Sequence, residues 1–449
     1  MHERDDALLP ASTQTQEAST PTLSGEHPGH LSVAIPVEDT SPGVSTKKHS
    51  TAHASWTGWY GAFKKVLSVY LVIHLAFYAL TCLSVLFILK DFSSQSMSLS
   101  TVWQAWLQWD TINFRAIAVH GYTTFRLTTF FPLYPLLVRC VMLLIHDPLL
   151  AGLLISNLSG LGLLVVLYRL VQEDFNAEHA FRTVLYLSVF PTAFFFAAAY
   201  SESLFLFLTV LSFYQMRHSH WWLAGLFGFL ASLTRSTGLL LILPFCYEYL
   251  RQHNDPAGTR FCGVKKILPM LKAMRFDVLS GLLIPAGLVL FALYCYFRFH
   301  DPLAFVHAQV FWGRKLSIPG YAILRSIKAI SISRGLLSFQ ALRNILDLGA
   351  VLFVSVLVIL GLVGPWKFPR SLWMYAIFAT ACYLFPQFVP FGGLYPLVSM
   401  PRFMLSVFPA FIVLAAIGKN RTLDMSYLII SCCLLFFLLI QFLTGHWIT

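Results

Sequence analysis

One aspartate, Asp110, lies in a polar stretch between two strongly apolar regions, within the sequence WLQWDTINFRAIAVHGY. Trp109 precedes it and His120 follows later in the same stretch, and both are candidate substrate-binding residues. Neighbouring aromatic rings can desolvate and orient a carboxylate, which suits it to act as a general base. A second interpretation stays open, in which Asp110 is the N-cap of a helix whose first turn starts at Thr111.

Three further charged residues stand at the ends of apolar runs and are candidate substrate-binding residues: Glu202, Arg235 and Arg402. Glu202, in AAAYSESLF, fits either a functional acid or a structural hydrogen bond at a helix break. Arg235, in LTRSTG, keeps its charge and needs an anion or carbonyl groups, so Glu202 is one candidate partner. Arg402, in SMPRF, fits either a phosphate ligand or a membrane-anchoring arginine.

The sequence contains none of the common cofactor or hydrolase motifs. GxxxxGK[ST], GxGxxG, HExxH and GxSxG are all missing. The eight cysteines show no CxxC spacing, and most fall inside apolar runs as packing residues. We therefore predict no metal site and no bound cofactor.

The composition is that of an all-α polytopic membrane protein. Hydrophobic residues make up 57% of the 449-residue chain and charged residues only 11%, against about 25% charged in soluble domains. Apolar runs of about 20 residues recur along the chain, and a helix of that length can cross the hydrocarbon core. Residues 1–55 differ, being rich in Ser, Thr and Pro, and predict a disordered cytoplasmic tail before one multi-pass domain at 56–449.

Hydropathy predicts about eleven spans, near 66–89, 149–171, 183–199, 203–216, 221–234, 237–250, 278–298, 346–364, 371–390, 403–417 and 426–443. Four of these spans are short and form two pairs, 183–216 and 221–250, and each pair is interrupted by a helix break, at YSES in the first and at TRSTG in the second. The segment Phe130–Ile145 contains two prolines and an arginine, so we place it as an outer juxtamembrane helix. Every inner loop then carries Lys or Arg, as the positive-inside rule requires. This rule accounts for the net charge of +11, so the charge gives no reason to expect a nucleic-acid partner, and we predict none.

Two long outer loops result, at about 90–148 and 299–345. The second holds six bases that fit either an anionic partner such as a lipid phosphate or a solvated face: Arg314, Lys315, Arg325, Lys328, Arg334 and Arg343. Among the outer acids, Asp147 and Asp301 are predicted to form Asp-Pro turns. Asp347 is predicted to cap a helix end in solvent.

The ordered set WDTINFRAIAVHGY, FFPLYPLL, FPTAFFFAAAYSESLF, LASLTRSTGLL, DPLAFVHAQVFWGR and MPRFMLSVFPAF resembles the PIG-V-type mannosyltransferases. That family is a branch of the GT-C membrane glycosyltransferases. The resemblance implies a GT-C-like bundle whose first outer loop carries juxtamembrane helices and the catalytic acid. It also implies a polyprenyl-phosphate sugar donor, typically dolichyl-phosphate mannose, and transfer on the non-cytoplasmic side.

The first functional hypothesis is therefore an inverting hexosyltransferase, with mannose as the expected sugar and Asp110 as the base. Its partners would be the donor, a lipid-linked or GPI-like acceptor, and membrane lipids. Its location would be the endoplasmic reticulum membrane in a eukaryote or the cytoplasmic membrane in a bacterium. The alternative is a transporter or flippase for a lipid-linked or anionic solute, which would favour charges at mid-membrane and inverted repeats.

Overall fold

The computed structural model describes residues 56–89, 98–254 and 276–446. The predicted tail at 1–55 lies outside these ranges. The described residues form seventeen α-helices: α1 Trp56–Ser84, α2 Leu99–Gln104, α3 Asp110–His120, α4 Leu133–Ile145, α5 Pro148–Asp174, α6 Ala177–Ser188, α7 Glu202–Arg217, α8 Trp221–Thr234, α9 Ile242–Asn254, α10 Leu283–Phe299, α11 Ala304–His307, α12 Tyr321–Ser331, α13 Phe339–Leu362, α14 Trp373–Leu384, α15 Met400–Met404, α16 Phe408–Ile417 and α17 Arg421–Leu443.

Five helical segments in the described ranges are long and apolar enough to cross a membrane. They are Gly58–Phe87, Pro148–Asp174, Phe276–Phe299, Phe339–Leu362 and Arg421–Leu443. Each coincides with a span predicted from hydropathy. The other six predicted spans correspond to shorter helices, several of them extended by a 3₁₀ turn, such as Ser236–Leu241 before α9. The regular structure of the described ranges is thus helical, and the chain is an integral membrane protein.

Both predicted helix breaks are confirmed. The first lies before α7, where a 3₁₀ turn at Ala193–Phe196 separates α6 from the start of α7 at Glu202. The second lies after α8, where Arg235 is fully extended, with φ −154° and ψ 147°. Gly238 follows this second break, and a Cβ there would stand 2.4 Å from the backbone nitrogen of Ser232. Only glycine allows the chain to fold back so closely on α8.

Phe130–Ile145, placed outside the membrane from its sequence, contains helix α4, which is thirteen residues long. At 1.5 Å per residue it is about 20 Å long, shorter than the hydrocarbon core of about 30 Å. One face is buried, with Tyr134 at 0% and Val138 at 2% exposure, while Leu144 is 81% exposed. A short helix with one buried apolar face and one exposed apolar edge suits the juxtamembrane position.

The helices pack through aromatic rings and small residues. Phe213 of α7 lies 5.1 Å, centroid to centroid, from both Phe378 of α14 and Phe408 of α16. Gly225 of α8 lets the neighbouring backbone approach, because a Cβ there would stand 2.2 Å from the carbonyl oxygen of Ser280. Small residues at such contacts are typical of membrane helix pairs.

A charged network joins the predicted inner ends of four helices. Arg217 of α7 donates to Asp174 of α5 at 2.6 Å and to Glu248 of α9 at 3.0 Å. Tyr375 of α14 donates to the other oxygen of Asp174 at 2.6 Å. Each buried carboxylate is therefore paired and hydrogen-bonded, as burial of a charge requires. The network ties the helices together at the end opposite the predicted outer loops.

Candidate active site

Four charged residues from distant parts of the chain meet in one array. Nη1 of Arg402 lies 2.6 Å from Oδ2 of Asp110, and Nε of Arg402 lies 3.1 Å from Oε1 of Glu202. Nη1 of Arg235 lies 2.5 Å from the same oxygen of Glu202. The order in space is therefore Asp110, Arg402, Glu202, Arg235, with the signs of charge alternating. These are the four charged residues that the sequence analysis singled out.

Asp110 is the first residue of α3, and its carboxylate turns toward Arg402. The N-cap position belongs to Trp109, and no side chain caps the helix. The N-cap interpretation of Asp110 is therefore wrong, because the carboxylate serves an ion pair instead. Within the described residues, no donor reaches Oδ1 of Asp110, whose side chain is 16% exposed. Arg402 therefore holds one oxygen in place, and the other has no hydrogen-bond donor among the described residues.

Strained backbone and a buried tyrosine position this carboxylate. Trp109 has φ 49° and ψ −111°, a conformation that costs a residue other than glycine about 1–3 kcal/mol. The hydroxyl of Tyr200 accepts from the backbone nitrogen of Asp110 at 3.2 Å and donates to the carbonyl of Gln108 at 3.3 Å. Tyr200 is 1% exposed, so it forms a rigid support beneath the start of α3. Such strain with direct support is characteristic of functional sites.

Glu202 and Arg235 form the pair that the sequence suggested. Glu202 stands at the first turn of α7 with 4% of its side chain exposed, and Arg235 occupies the extended break after α8. Arg235 also approaches the hydroxyl of Ser201, at 3.5 Å. The pair thus joins the two breaks, and Glu202 additionally faces Arg402. Glu202 thus has a structural role at the break, through Arg235, and its carboxylate is also part of the array, through Arg402.

Arg402 lies in the short helix α15 and is 9% exposed. Its guanidinium contacts three aromatic rings, those of Phe195, Tyr200 and Phe403, each with a centroid 5.4 Å away. A membrane-anchoring arginine would extend to the aqueous interface. The anchor interpretation of Arg402 is therefore wrong, because the side chain is buried between two carboxylates.

A third arginine, Arg314, joins the array from the second predicted outer loop. Its guanidinium lies 5.2 Å from the ring centroid of Phe403, the ring that Arg235 and Arg402 also contact. Nη1 of Arg314 donates to the carbonyl of Val389 at 3.1 Å, and no described carboxylate lies within ion-pair distance. Burial, and next the charge of Arg402, lower the pKa of Arg314 to about 10, so it stays charged at neutral pH.

The structure does not bring His120 into the array. It is the last residue of α3, ten residues from Asp110, which corresponds to about 15 Å along the helix. Its side chain is exposed. Its position gives no support to the predicted role of His120 in the same binding site. Trp109, by contrast, is half-buried directly beside Asp110.

Sequence reasoning missed three parts of this site: Tyr200, Phe403 and the special position of Arg314. Each was visible inside a motif, Tyr200 in AAAYSESLF, Phe403 in MPRF and Arg314 in FWGR. Nothing in their residue types distinguishes them from packing residues or loop bases. The glycine immediately before Arg314 is the one local signal. Gly313 has φ 64°, the left-handed conformation that favours glycine.

The array can support a displacement at an anionic substrate. Two carboxylates and three guanidiniums leave one excess positive charge, and Arg314 supplies it. The open oxygen of Asp110 can take a proton, and the surplus cation can stabilise a phosphate. In the described residues no group of three or more His, Cys, Asp or Glu side chains is arranged to hold a metal ion.

Comparison with known proteins gives a family match over most of the chain. The profile of the family described as "Mannosyltransferase (PIG-V)" matches residues 74–417, which include every member of the array. GPI alpha-1,6-mannosyltransferase 2 of Mus musculus is 31% identical over 215 residues, or 43% of this chain. GPI mannosyltransferase 2 of Cryptococcus neoformans is 29% identical over 186 residues, or 37% of this chain. The matched regions cover 41% and 43% of these relatives' own lengths.

Among solved structures, similar chains include ArnT from Cupriavidus metallidurans bound to undecaprenyl phosphate. It is 15% identical, with a TM-score of 0.47, and the match covers 84% of this chain and 64% of ArnT. The oligosaccharyltransferase of Archaeoglobus fulgidus in its apo form is 13% identical, with a TM-score of 0.43. That match covers 88% of this chain and 57% of the oligosaccharyltransferase.

Proposed function

Because this chain belongs to the PIG-V mannosyltransferase family, we propose that it transfers mannose from a polyprenyl-phosphate donor to a GPI-like glycolipid. The names of the mouse and fungal relatives support the GPI-like acceptor. The observation that carries the proposal is the 2.6 Å contact between Asp110 and Arg402, which orients one carboxylate oxygen and leaves the other open. Family membership favours this reaction over transport of a lipid-linked solute.

The proposed reaction is a single displacement. A hydroxyl oxygen of the acceptor attacks C1 of the mannose, and the bond from C1 to the phosphate oxygen breaks. Oδ1 of Asp110 takes the hydroxyl proton, and the polyprenyl phosphate leaves with the bonding electron pair. A single displacement inverts the configuration at C1. Glycosidases need a second carboxyl acid because an alkoxide leaves poorly, whereas a phosphate leaves without protonation.

The surplus cation would stabilise the leaving phosphate. Negative charge grows on that phosphate as the bond breaks, and a fixed guanidinium at a site of low dielectric stabilises it strongly. Arg314 is suited to this role because it has no described carboxylate partner and keeps its charge. Arg402 is committed to two carboxylates, so its main proposed role is to orient Asp110, with the phosphate as a further contact.

The direct test of this function is a radiolabelled transfer assay. Purified protein in detergent would be given tritiated dolichyl-phosphate mannose and a synthetic glucosaminyl-phosphatidylinositol acceptor carrying one mannose. We expect a labelled glycolipid that contains one additional mannose in inverted linkage. Transfer from a nucleotide sugar but not from the lipid donor, or retention of configuration, would contradict the proposal.

The proposed topology places the array outside the cytoplasm in a GT-C-like bundle of about eleven spans. We predict that a tag in the 255–260 loop is cytoplasmic and that a tag after Ser317 is on the other side. Loop charge sets these positions, since Lys and Arg collect in cytoplasmic loops. Accessibility of the tags in sealed and permeabilised membranes measures this. Finding both tags on one side would contradict the eleven-span topology.

The Glu202 pair should also hold the fold together. We predict that Glu202→Gln lowers the free energy of unfolding by roughly 3–5 kcal/mol, because it leaves Arg235 without a carboxylate and Arg402 with Asp110 as its one carboxylate partner. Arg235→Lys should lower stability as well, since an ammonium cannot reproduce the guanidinium geometry. Thermal unfolding in detergent measures both.

The matched control for Glu202→Gln is Glu178→Gln. Glu178 pairs with Arg182 on the surface of α6 and has 72% of its side chain exposed. Such surface pairs contribute about 0–1 kcal/mol, so this variant should unfold like the wild type. Equal unfolding temperatures for the two variants would show that Glu202 has no special structural role.

A further inference from the structure

The second predicted outer loop exposes large apolar side chains. Leu337 is 87% exposed and Leu316 is 85% exposed within the described residues. Further exposed apolar side chains of this loop are Ile318, Leu324, Ile332, Leu336 and Phe339. The hydrophobic effect opposes contact between so much apolar surface and water. The loop surface is therefore suited to an apolar or partly apolar neighbour.

Helix α12 shows the same arrangement in a regular element. The side chains that it packs toward α13 are small and buried, namely Ala322, Ser326 and Ala329. Its large apolar side chains lie on the outer side, namely Tyr321, Leu324 and Ile327. A helix with water on its outer side places large apolar residues inward and polar residues outward. The reversed order in α12 indicates that lipid contacts its outer side.

The position of α12 is consistent with such contact. It packs on α13, which begins at Phe339 and is long and apolar enough to cross a membrane. The hydroxyl of Ser326 donates to Oδ1 of Asn344 at 3.3 Å, and both residues are buried. Asn344 lies five residues after Phe339, which corresponds to about 7.5 Å along the helix. Helix α12 therefore lies beside the first turns of a candidate span, at the level of the membrane boundary.

The same loop carries bases but no acid. Between Asp301 and Asp347 the chain has six Lys or Arg residues and no Asp or Glu. Asp301 pairs with His307 at 2.7 Å. The prediction that Asp347 is a solvated helix cap is wrong, because Asp347 lies inside α13 and is 4% exposed. The loop thus supplies no carboxylate for its exposed bases.

Three of the six bases contact the protein itself. Arg314 belongs to the array, and Nη2 of Arg325 donates to the carbonyls of Gly392 and Gly393 at 3.0 and 3.3 Å. The guanidinium of Arg343 lies 4.6 Å from the ring centroid of Tyr395. The other three bases are exposed, namely Lys315, Lys328 and Arg334.

The exposed bases stand next to exposed apolar residues. Lys315 precedes Leu316 in the chain, and Lys328 follows Ile327. An apolar surface with bases along it matches a membrane interface, where the apolar side chains enter the acyl boundary and the bases reach the head groups. Because bases are attracted to anionic head groups, the charge of this surface favours anionic lipids over zwitterionic ones.

We propose that residues 315–339 lie in the membrane interface and that Lys315, Lys328 and Arg334 bind the phosphates of anionic phospholipids there. This binding does not depend on the proposed transfer reaction. It divides the six loop bases, which the sequence left as either lipid ligands or a solvated face, into three that contact the protein and three that contact lipid.

Site-specific photo-crosslinking of the intact protein tests this binding. The protein carries p-benzoylphenylalanine in place of Leu324 and is reconstituted in nanodiscs of phosphatidylcholine and phosphatidylglycerol in equal parts. Mass spectrometry identifies the lipid that is attached after irradiation. We expect lipid adducts in which phosphatidylglycerol is enriched about fivefold, the preference that one base near the head groups provides. A second variant carries the photo-reactive residue in place of Leu337, in case the first does not fold.

Removal of the three charges should abolish the enrichment. In the combined variant Lys315→Gln, Lys328→Gln and Arg334→Gln, the two lipids should be attached in equal amounts. The matched control is the combined variant Lys64→Gln, Lys419→Gln and Arg421→Gln, which removes exposed bases on the predicted inner side and should keep the enrichment. The photo-reactive residue in place of Leu290, which is half exposed in α10, should attach both lipids equally.

Several results would overturn the proposal. Absence of lipid adducts at both loop sites, while Leu290 gives them, would place the loop in water. Adducts with another part of the protein would identify a protein contact instead. Equal attachment of the two lipids in the unmodified loop, or enrichment that survives removal of the three charges, would exclude the bases as lipid ligands. Displacement of phosphatidylglycerol by a small amount of added polyprenyl phosphate would assign the surface to the donor.

Discussion

Asp110→Asn is expected to lower the rate of mannose transfer by roughly 10²–10⁴-fold, the usual contribution of a general base. The amide keeps the size of the carboxylate but cannot accept the acceptor's proton at neutral pH. The bond to Arg402 would persist through the amide oxygen, although without the charge of the pair. Turnover of purified variant and wild type with radiolabelled dolichyl-phosphate mannose measures the effect.

Asp147→Asn is the matched control. Asp147 lies in the same predicted outer loop, where its carboxylate accepts from the backbone nitrogens of Leu149 and Leu150 at the start of α5. Asparagine caps helices as well as aspartate does, so this variant should keep wild-type turnover. Near wild-type transfer by Asp110→Asn, with normal expression, would remove Asp110 from the reaction.

Arg402→Lys is expected to lower turnover by roughly 10- to 100-fold, although the charge is kept. Hydrogen bonds to charged groups contribute about 1.5–3 kcal/mol each, and about 1.4 kcal/mol corresponds to a tenfold change in rate. A planar guanidinium can face Asp110 and Glu202 at once, whereas an ammonium is a point charge that satisfies one of them poorly. Arg235→Lys should lose less activity, because its ion pair is with Glu202 and not with the proposed base Asp110.

The control for Arg402→Lys is Arg182→Lys, at the surface pair with Glu178. It should turn over donor at the wild-type rate. The KM for the donor separates two roles for Arg402. A lower kcat with an unchanged KM indicates that Arg402 orients the base, and a raised KM indicates that it also binds the phosphate. Full turnover in Arg402→Lys would exclude both roles.

The sequence predicted the members of the array better than their connections. Glu202 and Arg235 lie at the two helix breaks, and the need of an arginine among apolar residues for an anion suggested that they pair. Asp110 and Arg402 are separated by 292 residues, and no local pattern specifies which distant arginine approaches an aspartate. The family match over residues 74–417 confirms the resemblance that was drawn from the motifs.

Three sequence interpretations depended on side-chain directions that the sequence does not specify. His120 was grouped with Asp110 by proximity in sequence, but a helix carries it to the far end of α3. Asp347 was placed at a helix end, yet α13 starts earlier, at Phe339, and buries it. Arg314 was one of six loop bases for which an anionic partner and a solvated face both stayed open, and the fold places this one beside Phe403. Hydropathy sets segment boundaries only within a few residues, and such shifts change which residues face inward.

The separation between the partners in the array has a consequence for synthesis of the chain. Ribosomes add about 5–20 residues per second, and Arg402 follows Asp110 by 292 residues. About 15–60 s therefore pass between the synthesis of the two partners. Glu202 and Arg235 are only 33 residues apart, so they can neutralise each other while the nascent chain is still being inserted. Until Arg402 is synthesised, Asp110 would stay in its predicted extramembrane loop, where water solvates its carboxylate. The site is thus completed last, and a chain that is released before residue 402 would insert most of its helices and contain no active centre.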